Sequence, residues 1–169
     1  TDGARASGGG IHGESAVEIA ASTLSGNLTR AEGAPGGAVY ARGPLVLAES
    51  AGAANATAGA DAPGGALAST GTLTATAATI EDNATEGDGA AGGALHARGA
   101  VVLSEITLAG NATAGAGAPG GAVLAGGALE IALSTLSDNV TTGADSPGGA
   151  ARALAEGELA GVTATGNAT

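Results

Sequence analysis

A pair of glycines returns every 28 residues along the whole chain. The pairs begin at Gly8, Gly36, Gly64, Gly92, Gly120 and Gly148. An asparagine keeps the same interval, at Asn27, Asn55, Asn83, Asn111, Asn139 and Asn167, and a threonine follows each of them by two residues. No insertion or deletion interrupts the count. A period of roughly 20–50 residues is typical of solenoids, propellers and arrays, so the repeat constrains the fold before any local pattern does.

Residues at the same position in successive repeats form what we call a column, and three segments of each repeat have columns with strand-like alternation. The inward column of the first segment is Ile11, Val39, Leu67, Leu95, Val123 and Ala151. The next column should face solvent: His12, Tyr40, Ala68, His96, Leu124 and Arg152. The second segment has two inward columns: Val17, Leu45, Leu73, Val101 and Leu129, then Ile19, Leu47, Ala75, Leu103, Ile131 and Leu159. The third places Leu24, Ile80, Leu108 and Leu136 inside and Thr23, Thr79, Thr107, Thr135 and Thr163 outside.

Three strands and three turns in 28 residues predict one coil of a parallel β-helix. Each strand would then bond to its counterpart one coil away, at about 4.8 Å, so that like residues stack on like. We therefore predict an all-β solenoid of about six coils, occupying residues 1–169 as a single domain. The eight glycines that open the interior repeats are predicted turn residues: Gly36, Gly37, Gly64, Gly65, Gly92, Gly93, Gly120 and Gly121. Leucine-rich repeats need a different Leu and Asn spacing, and paired glycines beside β-branched residues disfavour an α-solenoid.

Composition excludes several classes of function. The formal charge is −11, from 16 acidic and 5 basic residues, which disfavours binding to nucleic acid or to an anionic membrane. No apolar run approaches the roughly 18 residues of a membrane span, so membrane insertion is not expected. The chain has no cysteine and hence neither disulfides nor thiolate metal sites.

The repeats resemble those of bacterial surface proteins. Gly120-Gly121-Ala122-Val123, then Leu129-Glu130-Ile131, then Ser134-Thr135-Leu136-Ser137-Asp138-Asn139 are similar to the repeats of polymorphic outer-membrane proteins and autotransporter passengers. Those repeats carry the motifs Gly-Gly-Ala-Ile and Phe-x-x-Asn, which are degenerate. Here the Phe of the second motif is replaced by Leu24, Ile80, Leu108 and Leu136, and by Gly52 and Ala164. The resemblance implies a right-handed β-helix used for display, adhesion or translocation, and an extracellular or cell-surface location.

The Asn-x-Thr triplets have two interpretations. By pattern, Asn27, Asn55, Asn83, Asn111, Asn139 and Asn167 are acceptors for N-linked glycans. Alternatively, their amides form a hydrogen-bonded ladder from coil to coil. Glycans on adjacent coils would be about 5 Å apart, which is too close for every site to be filled. We expect the ladder, with covalent glycans as the alternative in a glycosylating host.

Other polar residues give little sign of catalysis or of a cofactor. Glu130 and Glu158 share a column and could lie about 5 Å apart, as in a retaining glycosidase, but no insertion supplies walls for a site. His12 and His96 share a column but are three coils apart, too far to hold one metal ion. Three aspartates in the Gly-rich turn are the only candidates for loosely bound Ca²⁺: Asp61, Asp88 and Asp145. We expect no enzyme activity and no cofactor.

A structural role is the predicted function: a surface or extracellular rod, fibre or adhesin shaft. Thr1 and Thr169 share a column six periods apart, which predicts a segment of a longer chain or a filament of copies stacked end to end. The partner would then be a second copy of the chain. The alternatives are binding of ice through the outer threonine column, binding of a glycan, and, more remotely, action on a polysaccharide.

Overall fold

The computed structural model describes residues 7–169, which contain strands and turns and no helix. Accordingly, nothing in residues 7–169 is a helix long and apolar enough to cross a membrane. The strands form four parallel sheets, and each coil contributes one strand to each sheet in turn, except that the last coil adds only a single bridge to the fourth sheet. The predicted all-β parallel solenoid of about six coils is confirmed.

Strand bounds follow the 28-residue period closely. The first sheet contains β1 (Ile11–Gly13), β5 (Val39–Ala41), β9 (Leu67–Ser69), β13 (Leu95–Ala97), β17 (Val123–Ala125) and β21 (Ala151–Ala153). The second contains β2 (Val17–Ala20), β6 (Leu45–Ala48), β10 (Leu73–Thr76), β14 (Val101–Ser104), β18 (Leu129–Ala132) and β22 (Gly157–Ala160). The third contains β3 (Thr23–Ser25), β7 (Ala51–Ala53), β11 (Thr79–Glu81), β15 (Thr107–Ala109), β19 (Thr135–Ser137) and β23 (Thr163–Thr165).

A fourth sheet of short strands adds to the three strands per coil that the sequence predicts. It contains β4 (Leu28–Thr29), β8 (Ala56–Thr57), β12 (Ala84–Thr85), β16 (Ala112–Thr113) and β20 (Val140–Thr141), and Ala168 extends it through a single bridge to Val140. Each strand is only two residues long and directly follows the asparagine. Alternation cannot be recognised over two residues, so the sequence pattern does not reveal these strands.

The register keeps every column intact. Leu73 pairs with Leu45 on one side and Val101 on the other, and the remaining strands follow the same rule. The inward columns of all three predicted segments form the core, where Leu47, Leu103 and Leu108 are at most 1% exposed. Only the end coils leave such positions open: Ile11 is 38% exposed and Leu159 is 65% exposed.

The outer column of the first sheet is less exposed than the alternation predicts. Ala68 and Leu124 are buried, at 1% and 8% exposure, and Tyr40 and His96 are half-buried. The turn that precedes each strand of this sheet accounts for the difference, because Pro35 and Pro63 line the same cavity as Ala68. The expectation that this column faces solvent is therefore wrong in the middle of the stack.

Candidate functional site

The asparagine column forms a continuous ladder of side-chain amides. In each step, both the backbone N–H and the Nδ2 of one asparagine donate to Oδ1 of the asparagine one coil further on. From Asn83 to Asn111 these two distances are both 3.0 Å. The same pair of bonds joins Asn27 to Asn55, Asn55 to Asn83, Asn111 to Asn139 and Asn139 to Asn167. The predicted ladder is confirmed.

Interior members of the ladder are buried and fully bonded. Asn55, Asn83, Asn111 and Asn139 are all 0% exposed. The second Nδ2 hydrogen of Asn111 donates to the Ile80 carbonyl oxygen at 2.9 Å, one strand back in the third sheet. Its Oδ1 accepts two hydrogen bonds and its Nδ2 donates two, so each buried amide is satisfied by the chain.

The threonine is also buried in every triplet except the last, where Thr169 is exposed, and the sequence interpretation did not anticipate this burial. Its hydroxyl donates to the carbonyl oxygen five residues further on, as from Thr113 to Ala118 at 2.7 Å. Thr29, Thr57, Thr85 and Thr141 make the same bond. These bonds hold the turn after the fourth sheet against the strand. The asparagine and the threonine of a triplet therefore each have a structural role, one between coils and the other within a coil.

The paired glycines solve two different steric problems. The first of each pair has a positive φ, 73° at Gly36 and 75° at Gly64, a conformation that glycine adopts without a Cβ clash. The second is confined by the stack: a Cβ on Gly37 would overlap the carbonyl oxygen of Gly65 in the next coil. The same conflict recurs at Gly65, Gly93 and Gly121. The fixed spacing of the glycine pairs thus follows from the close approach of successive coils.

An N-linked glycan and an intact ladder exclude each other at the interior asparagines. Glycosylation replaces one Nδ2 hydrogen, whereas Asn83 uses both, one toward Asn111 and one toward backbone carbonyl oxygens. A transferase would also need access to a side chain that is 0% exposed. Asn27 and Asn167, which are half-buried in the end coils, are the more accessible acceptors.

A small pocket lies on the outer face of the first sheet. It has a volume of about 110 Å³ and includes Tyr40, Ala68 and His96, which stand on three successive strands. Pro35 and Pro63, from the preceding turns, also line it. The other polar residues that line it are Asp61, Ser69, Thr70 and Arg98. The preceding turns therefore build a wall for a site without any insertion in the repeat.

The pocket holds a neutral imidazole at pH 7. Burial, and to a smaller extent the nearby positive charge of Arg98, lower the pKa of His96 from 6.5 to about 4. Outside the pocket, the His12 ring meets Tyr40 edge-on, with centroids 5.3 Å apart, and the Nε2 of His12 lies 3.2 Å from Glu14. His12 and His96 are three strands apart in the first sheet, too far to share a ligand.

The acidic candidates lie on the surface and do not converge. Glu130 and Glu158 are register partners on β18 and β22, and both are exposed. Asp61, Asp88 and Asp145 lie in the turns after the fourth sheet, and Asp88 accepts a hydrogen bond from the Ala116 N–H at 2.9 Å. Residues 7–169 contain no group of three or more His, Asp or Glu side chains placed to hold a metal ion.

The threonine column of the third sheet faces outward as predicted. Thr23, Thr79, Thr135 and Thr163 are exposed and Thr107 is half-buried, but Ala51 interrupts the column. Two residues on, the outward column is Ser25, Ala53, Glu81, Ala109, Ser137 and Thr165. The face therefore carries one incomplete file of threonines and a mixed file beside it.

Comparison with family models, with curated proteins and with solved structures gave no match for this chain. The geometry of the described residues is therefore the basis of any functional assignment.

Sequence reasoning missed the pocket and the inner threonines. The threonines had a usable signal, since they repeat as strictly as the asparagines. The pocket had none, because the succession Tyr40, Ala68 and His96 occurs once in its column and is not repeated along the chain.

Proposed function

We propose that this chain is a structural, non-enzymatic rod, whose function is to extend and to join end to end with further coils. The observation that carries the proposal is the unbroken parallel register, in which every strand pairs with the strand one repeat away. No insertion adds a loop to the side of the stack for a catalytic cleft. An extracellular or cell-surface setting, as a shaft, fibre or adhesin stalk, is proposed on the resemblance of the repeats alone.

The two end coils support association with a second copy. Leu159 on β22 is 65% exposed, and in a continued stack its column would be followed by Ile19 of the next copy. Ile11, 38% exposed, would likewise stack on Ala151. We call this contact between the last coil of one copy and the first coil of the next the joint.

The ladder gives the joint a direction. Every amide donates toward the higher-numbered asparagine, so Asn167 would donate and Asn27 would accept at the joint. Both are half-buried in a single copy. Donors at one end and an acceptor at the other favour head-to-tail addition, which gives an open fibre rather than a closed ring.

Sedimentation velocity and negative-stain electron microscopy of the 169-residue chain test the proposal. We expect concentration-dependent rods that lengthen in steps of one chain, about 29 Å for six coils. Replacing Leu159 by Glu should weaken association, whereas replacing the exposed Thr76, on the side of a middle coil, by Glu should not. A chain that stays monomeric at millimolar concentration at low and high salt would refute the joint. Release of reducing sugars from a polysaccharide would refute the non-enzymatic role.

The pocket favours a second candidate function, the binding of a single sugar ring. Tyr40, Pro35 and Pro63 offer apolar surfaces, while Asp61 and Arg98 offer an acceptor and donors for hydroxyl groups. Ligand sites usually combine an apolar lining with a few polar groups in this way. The volume of about 110 Å³ limits the occupant to one ring.

Saturation-transfer NMR with a panel of free hexoses tests this second candidate. We expect weak transfer to ring protons that is lost in Tyr40→Ala and kept in Val46→Ala, a change on the exposed face of the second sheet. Equal transfer in both variants would contradict a site at the pocket.

A further inference from the structure

Charges in this stack are arranged so that like charges rarely meet. Acidic residues that share an outward column are separated by at least one neutral coil, as with Glu49 and Glu105, or Asp82 and Asp138. Where charged residues do occupy neighbouring coils, Glu14 faces Arg42 with 2.7 Å between the charged atoms. Since neighbouring coils are about 4.8 Å apart, this spacing limits repulsion along each column.

One column of the second sheet breaks this pattern. Within residues 7–169, Glu130 and Glu158 are the one pair of like charges that are direct register partners in adjacent coils. Both side chains are exposed, and so is Glu156, which lies two residues before Glu158. The pair lies in the last two coils, next to the surface that would form the joint.

The same column continues across the joint into a third glutamate. One repeat after Glu158, a second copy would place its own Glu18, which is exposed at the other end of the stack. Joining two copies therefore creates a file of three carboxylates at successive strand positions. No basic residue stands in this column: its other members are Val46, Thr74 and Val102.

We infer that Glu18, Glu130 and Glu158 act as an electrostatic brake on end-to-end association, which makes the joint weak at low ionic strength and stronger in salt. The inference rests on the proposed function, because it concerns the regulation of the same joint. Two unit charges about 4.8 Å apart in water repel enough to change an equilibrium constant about fourfold. Reversing one charge replaces repulsion by attraction, which doubles the change in electrostatic free energy. A charge reversal should therefore change the association constant by on the order of tenfold.

Charge reversal at Glu158 tests the inference, with Glu156 as the matched control. Glu158→Lys and Glu156→Lys change the net charge equally, but the column of Glu156 holds Ala128 on one side and would meet Ala16 on the other. We expect Glu158→Lys to tighten association by on the order of tenfold at about 20 mM salt, and Glu156→Lys to change it about threefold or less. Near 1 M salt, where the Debye length is about 3 Å, the difference should vanish.

Sedimentation equilibrium of the three proteins separates the outcomes, after circular dichroism has shown that both variants are folded. Equal tightening by the two lysine variants would overturn the brake, because net charge alone would then explain the effect, and the joint itself would stand. Association of all three proteins with one constant would also overturn the brake. If no protein associates at any salt concentration, the proposed joint fails, and the inference with it.

Discussion

Replacing Asn111 by alanine tests the structural role of the ladder most directly. The side chain of Asn111 accepts from the N–H and the Nδ2 of Asn83, and donates to Asn139 and to the Ile80 carbonyl oxygen. Its removal leaves two donors of Asn83 without an acceptor in a region that is 0% exposed. Each buried polar group left without a partner costs about 1–3 kcal/mol. Because at least two groups are affected, we expect Asn111→Ala to lower the free energy of unfolding by about 3–5 kcal/mol.

Asn27→Ala is the matched control, because Asn27 lies in the first described coil and is half-buried. It donates to Asn55 at 2.9 Å, but no earlier asparagine of the described residues donates to it. Its removal strands fewer buried groups, and water reaches the site, so we expect a loss of about 1 kcal/mol. Urea unfolding followed by circular dichroism measures both changes.

Asn111→Asp separates loss of the ladder from loss of volume. Aspartate has nearly the same shape and still accepts from Asn83, but its second oxygen faces Asn139 Oδ1 and the Ile80 carbonyl, both acceptors. Burial and these acceptors should raise the pKa of the introduced carboxyl above its unfolded value of about 3.9. A raised folded pKa means that stability is full below the unfolded pKa and is lost as the pH rises through the folded one. If Asn111→Ala costs less than 1 kcal/mol, or if Asn111→Asp does not depend on pH, the ladder is not a stabilising element.

Three further predictions concern the core, the corners and the pocket. Leu103 is 0% exposed, so Leu103→Ala should lower the free energy of unfolding by about 2–5 kcal/mol. Leu159→Ala, in the same column, should lower it by less than about 1 kcal/mol, because Leu159 is 65% exposed. Equal losses of stability in urea titrations would refute the assigned core. Ala77 has a φ of 49°, which strains a residue with a Cβ, so Ala77→Gly should stabilise the chain by about 0.5–1 kcal/mol. Ala132 lies within a strand, and Ala132→Gly should destabilise the chain by a similar amount. A loss of stability in both variants would show that the backbone at Ala77 is not strained. The pKa of His96 is lowered to about 4, so the chain should lose on the order of 3 kcal/mol of unfolding free energy, relative to His96→Gln, as the pH falls from 6.5 to 4. If the unfolding free energies of the two proteins run parallel over this pH range, the pKa of His96 is not lowered by burial.

The repeat predicted the fold because a parallel stack imposes the same demand on every member of a column. Val39, Leu45 and Leu47 could be placed inside from their column alone, and the structure buries all three. The asparagine ladder was predictable for the same reason, since an amide can donate to and accept from an identical neighbour. Such signals are strong because six repeats report them independently.

Structural features that occur in only one or two repeats could not be predicted from the columns. Ala68 is buried under the turn that contains Pro63, although its position in the alternation indicates solvent. The pocket arises only because Tyr40 and His96 flank Ala68, and no other repeat has this combination. The two-residue strands of the fourth sheet were missed because the alternation of Ala84 and Thr85 is too short to recognise.

The constant separation of 28 residues between paired strands has a consequence for how the chain folds. The entropy of closing a loop depends on its length, and here every coil-to-coil pairing closes a loop of the same length. No coil is therefore favoured as a starting point by topology, and a nucleus can form wherever two adjacent coils first meet and then grow in both directions. The end coils, each with one neighbour, should open first, so hydrogen exchange should be slowest around Leu103 and fastest around Leu159.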